Sequence, residues 1–467
     1  MEGLLGAFLH ILSYWDKVFP QKRTGDRARR LAISLILAMG RKTISRANAV
    51  SGRDQVDWSA DYRLFSRSEW RSSDLFSPML ALAVDLVEED IMAVGYDDTL
   101  IRKSGKKIKG SSWQRDPLSP PFNCNFVWGM RYLQASVLMP LYNHKTTPSP
   151  CRGIPIQMVQ LPKFKKPKKS ASQAEVDEYN DLKKKYNAST TFVDNLRSLR
   201  EQLDALGREN KRLLAVVDGS YCNRTCLSAD IPNTDIVGRT RKDARLYFRR
   251  SESNWPFYDP NSFTPEEIRQ DKRYSYSKGE FFYGGDFRTI KFKEVNEVYW
   301  KHGTKKKPLR LIILSPTPYR RTKNGPLHYR EAAYLLTTDL DSPVEMLIQK
   351  YLDRWQIEVN FKEEKSQMGL GQQQLWSEKS IPKAPAFIAA IYSALLLSSI
   401  LLTRDRRDHK IYDDLPKWRN KATKRPSCYD LLTLLRREIL TKLLSKTHGG
   451  EIKLLDAVQN VIEKSAA

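Results

Sequence analysis

From residue 1 to about 88 the apolar positions recur at helical spacing, broken by short polar stretches and anchored by Trp15, Trp58 and Trp70. Within it, RRLAISLILAMGRKTISRANAVSG reads as an apolar helix, a turn at Gly40 and a second helix bearing Arg41, Lys42 and Arg46. That is the outline of a helix-turn-helix, and an ordinary helical hairpin with a solvated basic face fits the same pattern. Then the texture changes. Ile91 to Asp98 is a short apolar run ending in acid, and Asn125 to Leu141 reads as two adjacent strands rich in β-formers. Residues 161–187 are Lys-rich and lack an apolar face, so they predict a surface loop or an exposed helix. Leu196, Leu199, Leu203 and Leu206 return to helical spacing with Gly207 as a stop, and Arg212 to Ser220 is a buried strand that again ends in acid.

The stretch from 235 to 330 is aromatic, basic and turn-rich, with strand-like runs at Phe281–Tyr283, Thr289–Trp300 and Leu309–Leu314. It predicts a β-rich insertion. After it, Ala332 to Asp339 resumes the buried-strand pattern, and Ser342, Pro343 and Glu345 supply an N-cap, an N1 proline and a capping-box acid for a long helix. That helix can run to about Met368, with Gly369 ending it. From Ile381 onward the pattern is helical. Ala384 to Thr403 carries no charge over 20 residues, and its length just meets the bilayer requirement of about 20. Pro385, the adjacent Ser398 and Ser399 and the lack of a second span favour a buried helix covering a sheet over a membrane span.

Charge narrows the partners. Lys and Arg number 79 against 54 Asp and Glu, a net +25 over 467 residues, and so large a surplus on a folded chain answers a polyanion, nucleic acid before an acidic membrane. Five scattered cysteines are not a disulfide framework and point to a reducing interior. Cys222 and Cys226 form a C-x3-C pair with no second pair spaced to complete a zinc site, so they read as free thiols. Basic runs at 239–250 and 305–307, interleaved with Tyr247, Phe248, Trp255 and Trp300, are candidates for DNA contact, the aromatics for stacking on a base.

Three apolar segments deliver an acid: Asp98, Asp218 and Glu358. Each alone is a common turn or surface residue. Together they suit Mg²⁺, a hard cation held by a few carboxylates, and two such ions can serve the attacking and leaving oxygens of a phosphodiester. The helix adds a sharper pattern. Tyr351, Arg354, Glu358 and Lys365 fall at about 0°, 300°, 340° and 320° around it, one narrow polar and cationic stripe about a single acid. A solvated salt-bridge face would look similar.

The spacing Tyr, two residues, Arg, three residues, Glu, six residues, Lys, with Trp355 after the Arg, resembles the signature of DDE transposases of bacterial insertion sequences, in the cut-and-paste group. The order of an acid followed by Thr99, a second acid after a buried strand, a β-rich insertion and the signature helix is similar too. The resemblance spans about residues 90–380. It implies an α/β architecture: an RNase H-like mixed-sheet core interrupted by a β-rich insertion, with helical N- and C-terminal regions. The divisions expected are 1–88, a helical DNA-binding region; 89–234 and 331–380, the two parts of the core; 235–330, the insertion; and 381–467, a helical C-terminal region.

The resemblance further implies Asp98, Asp218 and Glu358 as the catalytic, metal-binding triad, holding two Mg²⁺ with Mn²⁺ as a substitute. Tyr351, Arg354, Trp355 and Lys365 are expected to contact DNA near the cleaved end, and Arg41, Lys42 and Arg46 to contact it from the N-terminal helices. Asp97 is the local alternative to Asp98, because neighbours on a strand point to opposite faces; the Thr after Asp98 favours Asp98. The expected activity is cleavage of element ends and joining of their 3′-hydroxyls to target DNA, by a homodimer on paired double-stranded ends, in the bacterial cytoplasm on the nucleoid, without a membrane. The alternatives are a structure-selective nuclease on the same fold and a catalytically inactive DNA-binding protein.

Overall fold

A computed structural model describes residues 3–116, 119–120, 122–141, 149–250, 256–322, 324–412, 414 and 425–446. Trp255 and the expected helical tail beyond 446 lie outside the described residues. The chain opens with helices α1 (Gly3–Ser13), α2 (Lys22–Leu37), α3 (Ile44–Val50), α4 (Ser59–Ser66) and α5 (Ser77–Leu86). The core follows with β1 (Ile91–Arg102), β2 (Ser112–Arg115), β3 (Phe126–Pro140), β4 (Cys151–Gln160), α6 (Gln173–Lys185), α7 (Ala188–Ala205), β5 (Arg212–Val217), α8 (Arg224–Leu227) and β6 (Thr234–Thr240). Strands β4, β3 and β1 pair antiparallel, and β1, β5 and β6 pair parallel. That mixed order is the RNase H-like core expected from the sequence.

Two boundaries differ from expectation. Residues 126–140 form one long strand, because β3 serves two partners in succession, β2 along its first part and β4 along its second. Gly129 lets it approach β1: a Cβ there would sit 2.5 Å from the Ile101 carbonyl oxygen. The expected start of the insertion at 235 falls inside β6, whose parallel ladder with β5 makes it part of the core, so the sheet places the boundary after Thr240.

The inserted segment supplies α9 (Pro265–Gln270), β7 (Ser277–Tyr283), β8 (Asp286–Tyr299), β9 (Pro308–Leu314) and the small hairpin β10 (Pro318–Arg320) with β11 (Leu327–Tyr329). It does not stand apart from the core. Strand β12 (Ala333–Thr337) pairs antiparallel with both β6 and β9, so the sheet continues β6-β12-β9-β8-β7 to ten strands in all. Helices α10 (Val344–Asp353), α11 (Trp355–Ser366), α12 (Ser380–Thr403) and α13 (Cys428–Lys446) complete the chain.

The sheet separates two apolar clusters. On one face Ala93, Leu214, Val216 and Val237 pack against Leu347 and Ile348 of α10. On the other, Met92, Val94 and Tyr96 pack against Phe192 and Leu196 of α7, in a cluster that also takes in α12 and the N-terminal helices. Helix α12 is long and apolar enough to cross a membrane, yet 83% of its most apolar window is buried within the protein, against β4 and α1. Phe387 on it meets the rings of Trp15 and Phe65, each at 5.4 Å. A large apolar side chain buried this completely contributes about 1.5–3 kcal/mol.

Candidate active site

Strand alternation sorts the acids. Ala93, Gly95 and Asp97 point to the face carrying α10 and α11, and Gly95 is required there because a Cβ would meet the Ile357 Cδ1 at 2.5 Å. The parallel ladder pairs Tyr96 with Val217, so the next residues, Asp97 and Asp218, leave the two strands side by side on that same face. Asp98 follows Met92, Val94 and Tyr96 to the opposite face. There Arg131 Nη1 donates to its Oδ1, and the Tyr221 hydroxyl donates to its Oδ2 at 3.1 Å. The strand also continues past both acids to Arg102, held by its antiparallel ladder with β3, rather than ending at Asp98.

The expectation of Asp98 as the acid facing the signature helix is therefore corrected to Asp97. Arg354 Nη1 donates to Asp97 Oδ2 at 3.2 Å, and its Nη2 donates to Glu358 Oε1 at 3.2 Å. Burial, and next the negative charge of Asp218, push the Asp97 carboxyl up to about 7, against the pull of Arg354. Glu358 is raised by burial and also feels Asp218, again opposed by Arg354. Asp218 itself accepts from the Ser220 amide at 2.9 Å and the Ser220 hydroxyl at 3.2 Å. Three carboxylates from β1, the end of β5 and α11 thus share one electrostatic field around one guanidinium.

The signature helix is not continuous. Ile357 N–H donates to the Arg354 carbonyl at 3.0 Å, a tighter turn that separates α10 from α11 and places Arg354 at the joint. Tyr351 lies before the joint, half-buried, with its hydroxyl pKa raised by burial. Trp355 is 55% exposed just after it. Tyr351, Arg354 and Trp355 line a groove of about 300 Å³ together with Arg239, Tyr283 and Arg330. Sequence reasoning missed Tyr283 and Arg330; the spacing that would have found them belongs to the sheet, not to the chain. Lys365 is exposed in the last turn of α11, at the Arg102 end of β1.

The N-terminal cations do something else. Lys42 is buried, and its ammonium donates to the carbonyls of Leu35 at 2.5 Å and Ala38 at 2.7 Å, capping the C-terminal end of α2. Burial pulls its pKa down to about 7. Arg46 turns back to the Met39 carbonyl at 2.8 Å, which leaves Arg41 as the exposed member of the three. The expectation that Lys42 contacts DNA is corrected on this geometry. Lys42→Met is expected to leave duplex affinity within about twofold of wild type, measured by fluorescence anisotropy, because a buried ammonium makes no phosphate contact.

Cys222 and Cys226 are free and buried, with thiols pushed up to about 12 by burial. Among the described residues no three acidic, His or Cys side chains stand close enough to enclose an ion. The donor set nevertheless fits a divalent ion: all three acids offer hard oxygens, three carboxylates stand against one guanidinium, and Asp97 is raised first by burial and then by the charge of Asp218. A family model described as DDE superfamily endonuclease matches residues 16–307, a span that contains Asp97, Asp98 and Asp218 and ends before Glu358. No curated protein matches the chain.

Proposed function

The chain belongs to the DDE superfamily endonucleases, and we propose that it is a DNA transposase that cleaves element ends and joins their 3′-hydroxyls to target DNA. The family supports a nuclease or transposase acting on DNA, and enzymes of this superfamily generally use divalent metal ions. The observation that carries the finer reading is that Arg354 joins Asp97 and Glu358 within the field of Asp218, at the joint between α10, which bears Tyr351, and α11, which bears Lys365.

In this reading Asp97, Asp218 and Glu358 hold two Mg²⁺, or Mn²⁺ in its place. Bound there, such ions activate an attacking oxygen and stabilise a leaving one. The remaining work falls to the chain's own side chains. Arg354 faces two of the acids and is placed to share its guanidinium with a phosphate oxygen through charge-assisted hydrogen bonds. Tyr351 and Trp355 form one wall of the groove beside it, and Arg239 and Arg330 add positive charge along it. Joining needs two ends held together, so the active form is a homodimer on paired duplex ends.

The test uses duplexes copied from the DNA flanking the reading frame, a supercoiled plasmid as target, and Mg²⁺ or Mn²⁺. The expected result is nicking at the duplex end followed by covalent joining of labelled ends to the plasmid. Hydrolysis without joined product would instead assign a nuclease on the same fold.

A further inference from the structure

The Lys-rich excursion between β4 and α7 plays no part in the site described above. It carries five lysines between 163 and 169 and three at 183–185, against four acids at 175–181. All eight lysines are exposed, and among the described residues none forms an ion pair. Helix α6 buries no residue at all, and is held instead by a capping box between Ser172 and Glu175. The extended segment before it lies alongside, with Phe164, Tyr179 and Leu182 lining the cleft between the two. A helix without a buried face contributes nothing to the core, so its ordered presence at this place asks for another partner.

Its place is specific. Strand β4 runs parallel to β1, so it ends at the edge of the sheet where the acids lie. There the Leu161 amide donates to the Arg131 carbonyl at 2.9 Å, and Arg131 is the residue that holds Asp98. At the other end of the excursion, Ser189 accepts from Asn223 Nδ2 at 2.9 Å, in the turn that follows Asp218. At the end of β1, Arg102 is exposed, pairs with Asp116 at 3.0 Å and neighbours Lys365, and Arg115 is exposed at the end of β2. Exposed cations thus stand at the ends of β1, β2 and α11 as well as in the arm, toward the edge of the sheet opposite β7.

We propose that residues 163–185 form an arm that binds the phosphates of double-stranded DNA passing the active edge of the sheet, without reading its bases. This deepens the nuclease reading, because the duplex is that enzyme's substrate class. Exposed lysines without an ion pair among the described residues suit phosphate contacts, each of which releases counterions and steepens the salt dependence by about 0.9 in log K per log salt.

The experiment is a salt titration of binding to two unrelated 30-base-pair duplexes in EDTA, with the full chain. It compares wild type with Lys165, Lys166, Lys168 and Lys169 all changed to Glu, and with the same four changed to Gln. The expected result is a salt slope shallower by about two or more in both variants, and affinity at 0.15 M salt at least tenfold weaker, equally on both duplexes. Slopes and affinities equal to wild type would overturn the proposal, as would a loss confined to one duplex, or binding to anionic vesicles that the variants lose while DNA binding stands. Binding is measured in EDTA without reference to cleavage, so this result is read separately from the catalytic reading, which stands or falls on cleavage in Mg²⁺.

Discussion

Asp97→Asn is expected to lose DNA cleavage by about 10³-fold or more while melting a few degrees higher than wild type in metal-free buffer. Both effects have one cause. The Asp97 carboxyl is pushed up to about 7 by burial and by Asp218, whereas an unfolded Asp titrates near 3.9. The folded protein therefore holds this proton more tightly than the unfolded chain, and stability falls as pH rises from about 4 to 7, with the full cost present above that window. Asn removes the charge and the cost together, and removes a metal-binding oxygen with them.

Asp98→Asn is expected to do the reverse. It strands Arg131 and weakens the Tyr221 contact on the other face, so it costs about 1–3 kcal/mol of stability and leaves cleavage within about tenfold of wild type below its melting point. Thermal unfolding and a gel assay on the two variants separate them. An inactive Asp98→Asn beside an active Asp97→Asn would return the assignment to Asp98.

The second large effect is structural. Arg152 on β4 and Asp405 after α12 form a bidentate pair, with side chains 2% and 0% exposed, and Arg152 also donates to the Pro426 carbonyl ahead of α13. One ion pair thus ties the sheet to the last two helices. Removing a single partner leaves an uncompensated buried charge, so Arg152→Met is expected to cost about 3–5 kcal/mol. Urea unfolding with an unchanged slope and a lowered midpoint is the readout; a loss under about 1 kcal/mol would mean that Asp405 finds another partner.

What was legible in the sequence is what local spacing determines. The strand leading to Asp218, the helix stopped at Gly207 and the helical character of residues 344–366 are each set by residues within a few turns of one another, whereas the single stripe expected for Tyr351, Arg354, Glu358 and Lys365 assumed one unbroken helix. The choice between Asp97 and Asp98 was not, because alternation says that neighbours diverge and only the parallel register with β5 says which one meets α11. Lys42 was misread for a related reason. An ammonium that caps a helix and one that faces solvent have the same sequence neighbourhood, and the carbonyls of Leu35 and Ala38 decide between them. The polar strand β6 and the joint at Arg354 likewise depend on pairing and packing across the fold.

The most direct test of the central claim is strand cleavage of duplex DNA bearing the sequences that flank the reading frame, followed on a denaturing gel for wild type and Glu358→Gln, each in EDTA and in Mg²⁺. The account predicts cleavage by wild type in Mg²⁺ alone, and none by Glu358→Gln in either condition although it still binds the duplex. Equal cleavage by Glu358→Gln, or cleavage by wild type in EDTA, would contradict it.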